Sequence, residues 1–157
     1  MLQVQKLNAW YGASHALQDV SIEVANGEIV CLIGRNGAGK TTTLKSIMGL
    51  MDRTRGSVAF KGRELLDRPA HERFALGLAY VPEERRIVQG LSVRENLRLG
   101  LVASPEKKRE AERIDDIARV FPRLAERLDQ EAVTMSGGEQ QMLAIARAMI
   151  EIGRAHV

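Results

Sequence analysis

The sequence predicts an α/β fold, and three observations carry that prediction. An apolar run, Ile29-Val30-Cys31-Leu32-Ile33, leads directly into Gly34-Arg35-Asn36-Gly37-Ala38-Gly39-Lys40-Thr41-Thr42. A helical period follows, with Leu44, Ile47, Met48 and Met51 at i, i+3, i+4 and i+7. Alternating segments elsewhere in the first half read as strands, whereas most of the chain after Ser92 reads as helix.

Taken in order, Leu2 to Leu7 alternates apolar and polar as a half-buried strand does. Asn8 to Ser14 reads as a loop carrying Trp10-Tyr11-Gly12, and a second alternating run spans Leu17 to Val24. Asn26-Gly27 then gives a hairpin signal before the buried strand Ile29–Ile33. After the helix, Asp52 to Gly56 breaks the pattern. Ser57–Phe60, Lys61-Gly62 and Arg63–Leu65 predict a second hairpin, Pro69–Leu76 a short helix, and Leu78–Val81 a short apolar strand. Pro82-Glu83-Glu84-Arg85-Arg86 is a polar loop. Ser92 and Glu95 form a capping box that opens a helix through about Val102. Ser104-Pro105 starts another by N-cap and N1 proline, with Ile114, Ile117, Ala118 and Phe121 on its apolar face and Pro122 at its end. The region from Ser92 to about Leu128 is thus a helical insert, and a last helix places Met142, Ile145, Ala146 and Met149 on one face. No internal repeat or low-complexity segment interrupts this order.

With 157 residues the chain is one domain by length, with apolar content sufficient for a core. The formal charge of +3 is mild and does not by itself argue for nucleic acid, because basic residues interleave with acids in Glu83–Arg86 and Glu106–Glu110; no nucleic-acid partner is expected. The single cysteine, Cys31, excludes a disulfide within the chain and reads as a small core residue. No signal-like N-terminus or long apolar segment is visible, so a membrane is reached only through a partner. His15 and His71 stand in no motif and read as surface or satisfied histidines.

The chemistry is concentrated in Gly34–Thr42, whose spacing is G-x-x-x-x-G-K-T, the phosphate-binding P-loop. Glycines permit backbone angles that turn successive N–H groups toward a phosphate. Lys40 supplies a point charge for the β and γ phosphates, and the Thr41 hydroxyl can ligate Mg²⁺. The loop opens a helix whose N-terminal amides and dipole favour the same anion.

A second motif, Met135-Ser136-Gly137-Gly138-Glu139-Gln140-Gln141, opens the last helix. Ser136 and Glu139 have capping-box spacing, which alone requires only a well-capped helix. Two adjacent glycines at a helix start disfavour the helix and suit a site where a ligand approaches exposed amides. Both readings stay open on this motif alone.

The P-loop, the helical insert and Ser136-Gly137-Gly138-Glu139-Gln140, in this order, resemble the nucleotide-binding domain of ABC ATPases from Leu2 to about Ile150. Within that family, Val81–Ile87 and Met135–Ala148 look most like the ATP-binding subunit of branched-chain amino-acid importers. The resemblance implies a mixed sheet around the P-loop helix, an antiparallel β subdomain and a helical insert. It implies ATP and Mg²⁺ as cofactors, with Gly34, Asn36, Gly37, Ala38, Gly39, Lys40, Thr41 and Thr42 on the triphosphate and metal. Tyr11 matches the aromatic that stacks on adenine, although a plain core or surface tyrosine is the alternative, and Trp10 beside it is ambiguous. Ser136, Gly137, Gly138 and Glu139 match the signature that meets the γ-phosphate held by an opposite subunit. Glu83 stands where the family usually has a glutamine that senses metal and attacking water; an ionised carboxylate can ligate Mg²⁺ but cannot donate a hydrogen bond.

The implied partners are a second ATPase subunit in a head-to-tail dimer, transmembrane permease subunits and, indirectly, a substrate-binding protein. The implied location is the cytoplasmic face of the cell membrane. Two rivals share these motifs: an ABC-type ATPase acting on ribosomes or chromosomes, and a nucleotide-binding fragment without catalysis. The family's strand ending in Asp-Glu (Walker B) and its switch histidine have no counterpart here, and His156 does not fill that role. Glu151 to Val157 instead resembles the translation of a common sequencing adapter, so residues 1–150 are expected to be a partial ATPase domain followed by a foreign tail.

The absent strand is expected beside the P-loop strand, where about five buried apolar side chains contribute on the order of 10 kcal/mol. That rivals the typical net stability of a domain, about 5–15 kcal/mol. The isolated polypeptide is therefore expected to aggregate or fold only in part. A cooperative thermal transition, followed by circular dichroism, would refute this.

Overall fold

The computed structural model describes residues 1–84, 87–101 and 110–152. Arg85, Arg86, the helix end at Val102, the Ser104-Pro105 helix start and residues 153–157 of the expected foreign tail lie outside the described residues. The chain forms two compact units, Met1–Leu76 and the residues from Gly77 onward.

In the first unit, β1 (Leu2–Tyr11), β2 (Ser14–Val24), β3 (Arg53–Phe60) and β4 (Arg63–Glu64) form an antiparallel sheet in the order β2-β1-β3-β4. Strict alternation from Val4 would turn Lys6 inward and Leu7 outward. A register shift between Val4 and Leu7 prevents that: Lys6 adopts φ 46°, and Val4, Leu7 and Ala9 all reach the core. Strand β3 passes this bulge at Gly56, with φ 117°, where an added Cβ would lie 2.4 Å from the Lys6 carbonyl oxygen. Only glycine fits there.

The expected loop from Asn8 to Ser14 contracts to a tight turn. Trp10 and Tyr11 belong to β1, Tyr11 pairs with Ser14, and Gly12 turns the chain at φ 56°. The Lys61-Gly62 hairpin forms as expected, pairing Phe60 with Arg63. The expected helices appear as α1 (Lys40–Ile47) and α2 (Ala70–Ala75). The apolar face of α1 is narrower than its period predicts: Ile47 and Met48 are buried with Thr42, Thr43 and Ser46, whereas Leu44 is exposed.

Two expected strands do not form. Ile29–Ile33 and Leu78–Val81 have no ladder among the described residues, and Ile29 and Ile33 are 97% and 86% exposed. A strand needs a lateral partner for its N–H and C=O groups, and none of the described residues supplies one. For the same reason Asn26-Gly27 makes a turn but no hairpin, with Glu28 Oε2 accepting from the Ala25 amide at 2.7 Å. Cys31 is consequently exposed rather than a core residue. The sheet among the described residues is antiparallel throughout, without the parallel part that the resemblance implies.

In the second unit, α3 (Val93–Leu99) opens with the expected capping box: Ser92 Oγ accepts from the Glu95 amide and Glu95 Oε2 from the Ser92 amide. Helix α4 (Glu110–Val120) buries Ile114 and Ile117 and gives way at Pro122, which sits in the first turn of α5 (Pro122–Ala125). Helix α6 (Gly137–Ile152) packs Leu143, Ala146 and Ile150 against Val93, Leu97 and Leu124. Its buried stripe is rotated from the expected one, leaving Ile145 at the surface. No helix among the described residues is long and apolar enough to cross a membrane.

Replacing Gly56 with alanine is expected to lower stability by about 1–3 kcal/mol, the size of one enforced backbone strain. Urea unfolding of the glycine and alanine forms would measure it, and equal midpoints would contradict the bulge crossing.

Candidate functional site

The P-loop lies in the first unit. Its glycines turn the backbone, with φ 85° at Gly37 and 88° at Gly39, and the Ala38 amide bonds the Arg35 carbonyl at 3.1 Å. The Lys40 ammonium is drawn over the loop, donating to the carbonyls of Gly34 at 2.7 Å and Arg35 at 2.9 Å. Helix α1 begins with Gly39 as its N-cap, with no side-chain cap and no acidic residue in its first turn. Its leading amides therefore have no side-chain anion to satisfy them, which is the electrostatic setting for an external one. Gly39 has a second role, because an added Cβ would lie 2.6 Å from Leu17 Cδ2. The helix start is thereby seated on β2.

Thr41 is exposed in the first turn of α1, and Thr42 is buried. The Tyr11 hydroxyl lies 3.5 Å from Thr42 Oγ1, so the structure brings the aromatic candidate to the phosphate helix. Tyr11 remains 52% exposed. Trp10 is engaged within the sheet, stacked on His15 with ring centroids 4.4 Å apart and held under the Arg53 guanidinium at 4.6 Å. Of the two neighbouring rings, Tyr11 is the more exposed. His15 is a satisfied histidine, its Nε2 lying 2.8 Å from Asn8 Oδ1.

In the second unit, Ser136 precedes α6 and Glu139 folds back onto it. Glu139 Oε2 accepts from the Ser136 amide at 2.9 Å and the Ser136 hydroxyl at 2.8 Å, while Glu139 Oε1 pairs with Arg127 at 3.4 Å. Arg127 carried no signal in the sequence. The hydrogen bonds from Ser136 hold the Glu139 carboxyl below the usual carboxylate range, with Arg127 and Arg123 adding to the effect. Gly138 has nothing within 4 Å of where a Cβ would stand. No packing inside the chain therefore requires glycine there, although glycine costs a helix about 1 kcal/mol relative to alanine. Glu83 is exposed in a turn of the same unit.

The residues present fit a nucleotide and its metal. The loop offers backbone amides and an ammonium without competing acid, and Thr41 offers a hydroxyl oxygen. No group of three or more metal-ligating side chains occurs among the described residues.

Comparison with known proteins gives one consistent result. The family described as ABC transporter matches residues 17–154. The chain is 45% identical over 150 residues to the high-affinity branched-chain amino acid transport ATP-binding protein BraG of Pseudomonas aeruginosa, covering 96% of this chain and 64% of BraG. It is 40% identical over 150 residues to the probable branched-chain amino acid transport ATP-binding protein LivF of Archaeoglobus fulgidus, covering 96% and 63%. It is also 35% identical over 149 residues to the lipopolysaccharide export system ATP-binding protein LptB of Acidithiobacillus ferridurans, covering 95% and 62%. A solved structure of the ATP-binding subunit of an ABC transporter superposes with TM-score 0.82 at 36% identity, covering 96% of this chain and 62% of that one. The chain thus spans a little under two thirds of the length of these relatives.

Because its folded pKa is depressed, the Glu139 carboxylate stabilises the start of α6 above the ordinary glutamate pKa of about 4.3. That contribution is lost as pH falls through the lowered value. An NMR titration is expected to place the Glu139 midpoint below that of a freely exposed glutamate, with the Ser136 amide losing protection over the same range. A midpoint at or above the free value would contradict the capping geometry.

Proposed function

The chain belongs to the ABC transporter family, and from that premise we propose that it is part of the ATP-binding subunit of an importer for branched-chain amino acids. The observation that carries the reading is the uncapped, acid-free start of α1 behind a glycine loop and the Lys40 ammonium, in a chain 45% identical to BraG over 150 residues. ATP, with Mg²⁺, supplies the phosphoryl-transfer free energy. Lys40 and the loop from Gly34 to Gly39 bind the triphosphate, Thr41 ligates the metal through its hydroxyl, and Tyr11 offers an exposed flat face to the base. Glu83 is a carboxylate where the family usually has a glutamine, so it can ligate a metal but, when ionised, cannot donate a hydrogen bond.

Ser136, Gly137, Gly138 and Glu139 face the γ-phosphate held by a second subunit in a head-to-tail dimer. The open space over Gly138 supports this, because a ligand or partner backbone can approach there. On this reading residues 1–150 are a partial ATPase domain with a helical insert at about 92–128. Hydrolysis in the whole protein drives alternating access in membrane-bound permease subunits on the cytoplasmic face, with substrate delivered by a binding protein. An export assignment is the second reading, favoured by the 35% identity to LptB.

The test uses the complete subunit, reconstituted with its permease partners in vesicles. ATP-dependent leucine accumulation is expected, and Lys40→Ala is expected to abolish both triphosphate binding and accumulation. Unchanged nucleotide affinity in the variant would overturn the site assignment. ATP-driven movement of a different solute would overturn the substrate alone.

A further inference from the structure

Arg73 of α2 is the largest fully buried side chain among the described residues, at 2% exposure, and it lies outside every motif described above. Its guanidinium makes no hydrogen bond to a carboxylate among those described. Instead it donates to four backbone carbonyls: Nη1 to Ser46 at 2.9 Å and Ile47 at 2.7 Å, Nη2 to Leu66 at 2.8 Å, and Nε to Arg68 at 2.8 Å. Ser46 and Ile47 end α1, so the cation occupies the negative end of the phosphate helix, adding a donor to the Ser46 carbonyl beside the Gly49 amide at 3.1 Å and supplying one to the Ile47 carbonyl. Gly49, at φ 71°, leaves the room it needs, since a Cβ there would stand 2.7 Å from Nε.

The other two acceptors belong to the segment after β4, which is tied to the sheet. Glu64 Oε1 accepts from the amides of Val58 at 3.0 Å, Leu65 at 2.9 Å and Leu66 at 2.9 Å. A continuous path of hydrogen bonds therefore runs from β3 through Glu64 and the 65–68 segment to Arg73 and the last turn of α1. Burial lowers the Arg73 pKa, while the charges of Glu64 and Asp67 oppose that fall. At its other end α1 is seated by Gly39 against Leu17 and by Thr42 near the Tyr11 hydroxyl.

We infer that Arg73 is a positioning residue that sets the placement of the phosphate helix relative to Tyr11, and so the spacing between the triphosphate loop and the face offered to the base. This rests on the proposed nucleotide reading of Gly34–Thr42 and Tyr11. The loop's own bonds, Lys40 to Gly34 and Arg35 and Ala38 to Arg35, do not involve Arg73. Loss of the guanidinium therefore leaves the loop able to hold phosphate while the helix behind it is no longer fixed against the sheet. The consequence is selective: base-bearing and base-free ligands respond differently.

The test measures Mg²⁺-ATP and Mg²⁺-tripolyphosphate affinity by calorimetry in the complete subunit, for wild type, Arg73→Met and Arg73→Lys. Arg73→Met is expected to weaken ATP by about tenfold, the order of one base–aromatic stack, with tripolyphosphate affinity nearly unchanged. Lysine keeps the charge but not the planar fork, so Arg73→Lys is expected to recover part of the loss. Should the methionine form not fold, the ratio of the two affinities is read on Arg73→Lys alone. Equal loss for both ligands, or no loss for either, would overturn the inference. Wild type that binds neither ligand would instead defeat the nucleotide reading on which it rests.

Discussion

An eight-residue helix that presents its first turn to an anion must be held in place by something other than itself. In this protein α1 is fastened at both ends to one antiparallel sheet. Gly39 brings its start against Leu17 of β2, and the buried guanidinium of Arg73 gathers its last carbonyls together with those of the 65–68 segment. The arrangement is polar at the far end because the carbonyls there are polar. A hydrocarbon side chain in the same space would remove a donor from four carbonyls, of which Ser46 would keep the Gly49 amide, and each buried unsatisfied group costs about 1–3 kcal/mol.

The same sheet explains why one aromatic of the pair Trp10-Tyr11 is exposed. Adjacent residues of a strand point to opposite faces. Trp10 lies in a row with His15 and Arg53, its cross-strand neighbours, and is covered by both. Tyr11 falls on the side of α1, next to Thr42. The bulge at Lys6 is part of the same logic, since without it Leu7 would leave the core and all later residues of β1 would change faces.

The second unit depends on close approach between helices. An added Cβ at Gly100 would stand 2.3 Å from the Arg147 carbonyl oxygen, so the end of α3 meets the backbone of α6 directly. Asn96, fully buried, accepts from the Val88 amide and donates to the carbonyls of Val88, Leu91 and Ser92, holding the segment before α3 onto the helix. Ser136 and Glu139 close the beginning of α6 on themselves, leaving Gly138 open.

Features that depend on neighbours a few residues away were legible before any coordinates. The P-loop spacing, both capping boxes, the Lys61-Gly62 hairpin and the proline boundary at Pro122 all follow from local backbone chemistry, and all appear. Features that need a partner distant in sequence were not. Ile29–Ile33 has the composition of a buried strand, but a strand exists only where another lends it hydrogen bonds, and its side chains are exposed. Leu44 and Ile145 match a helical period yet face outward, because the buried side of a helix is chosen by what packs on it. Arg73 stands in no motif of the sequence. Only the folded chain brings four carbonyls from two separate segments around it, and with them the means of holding the phosphate helix in place.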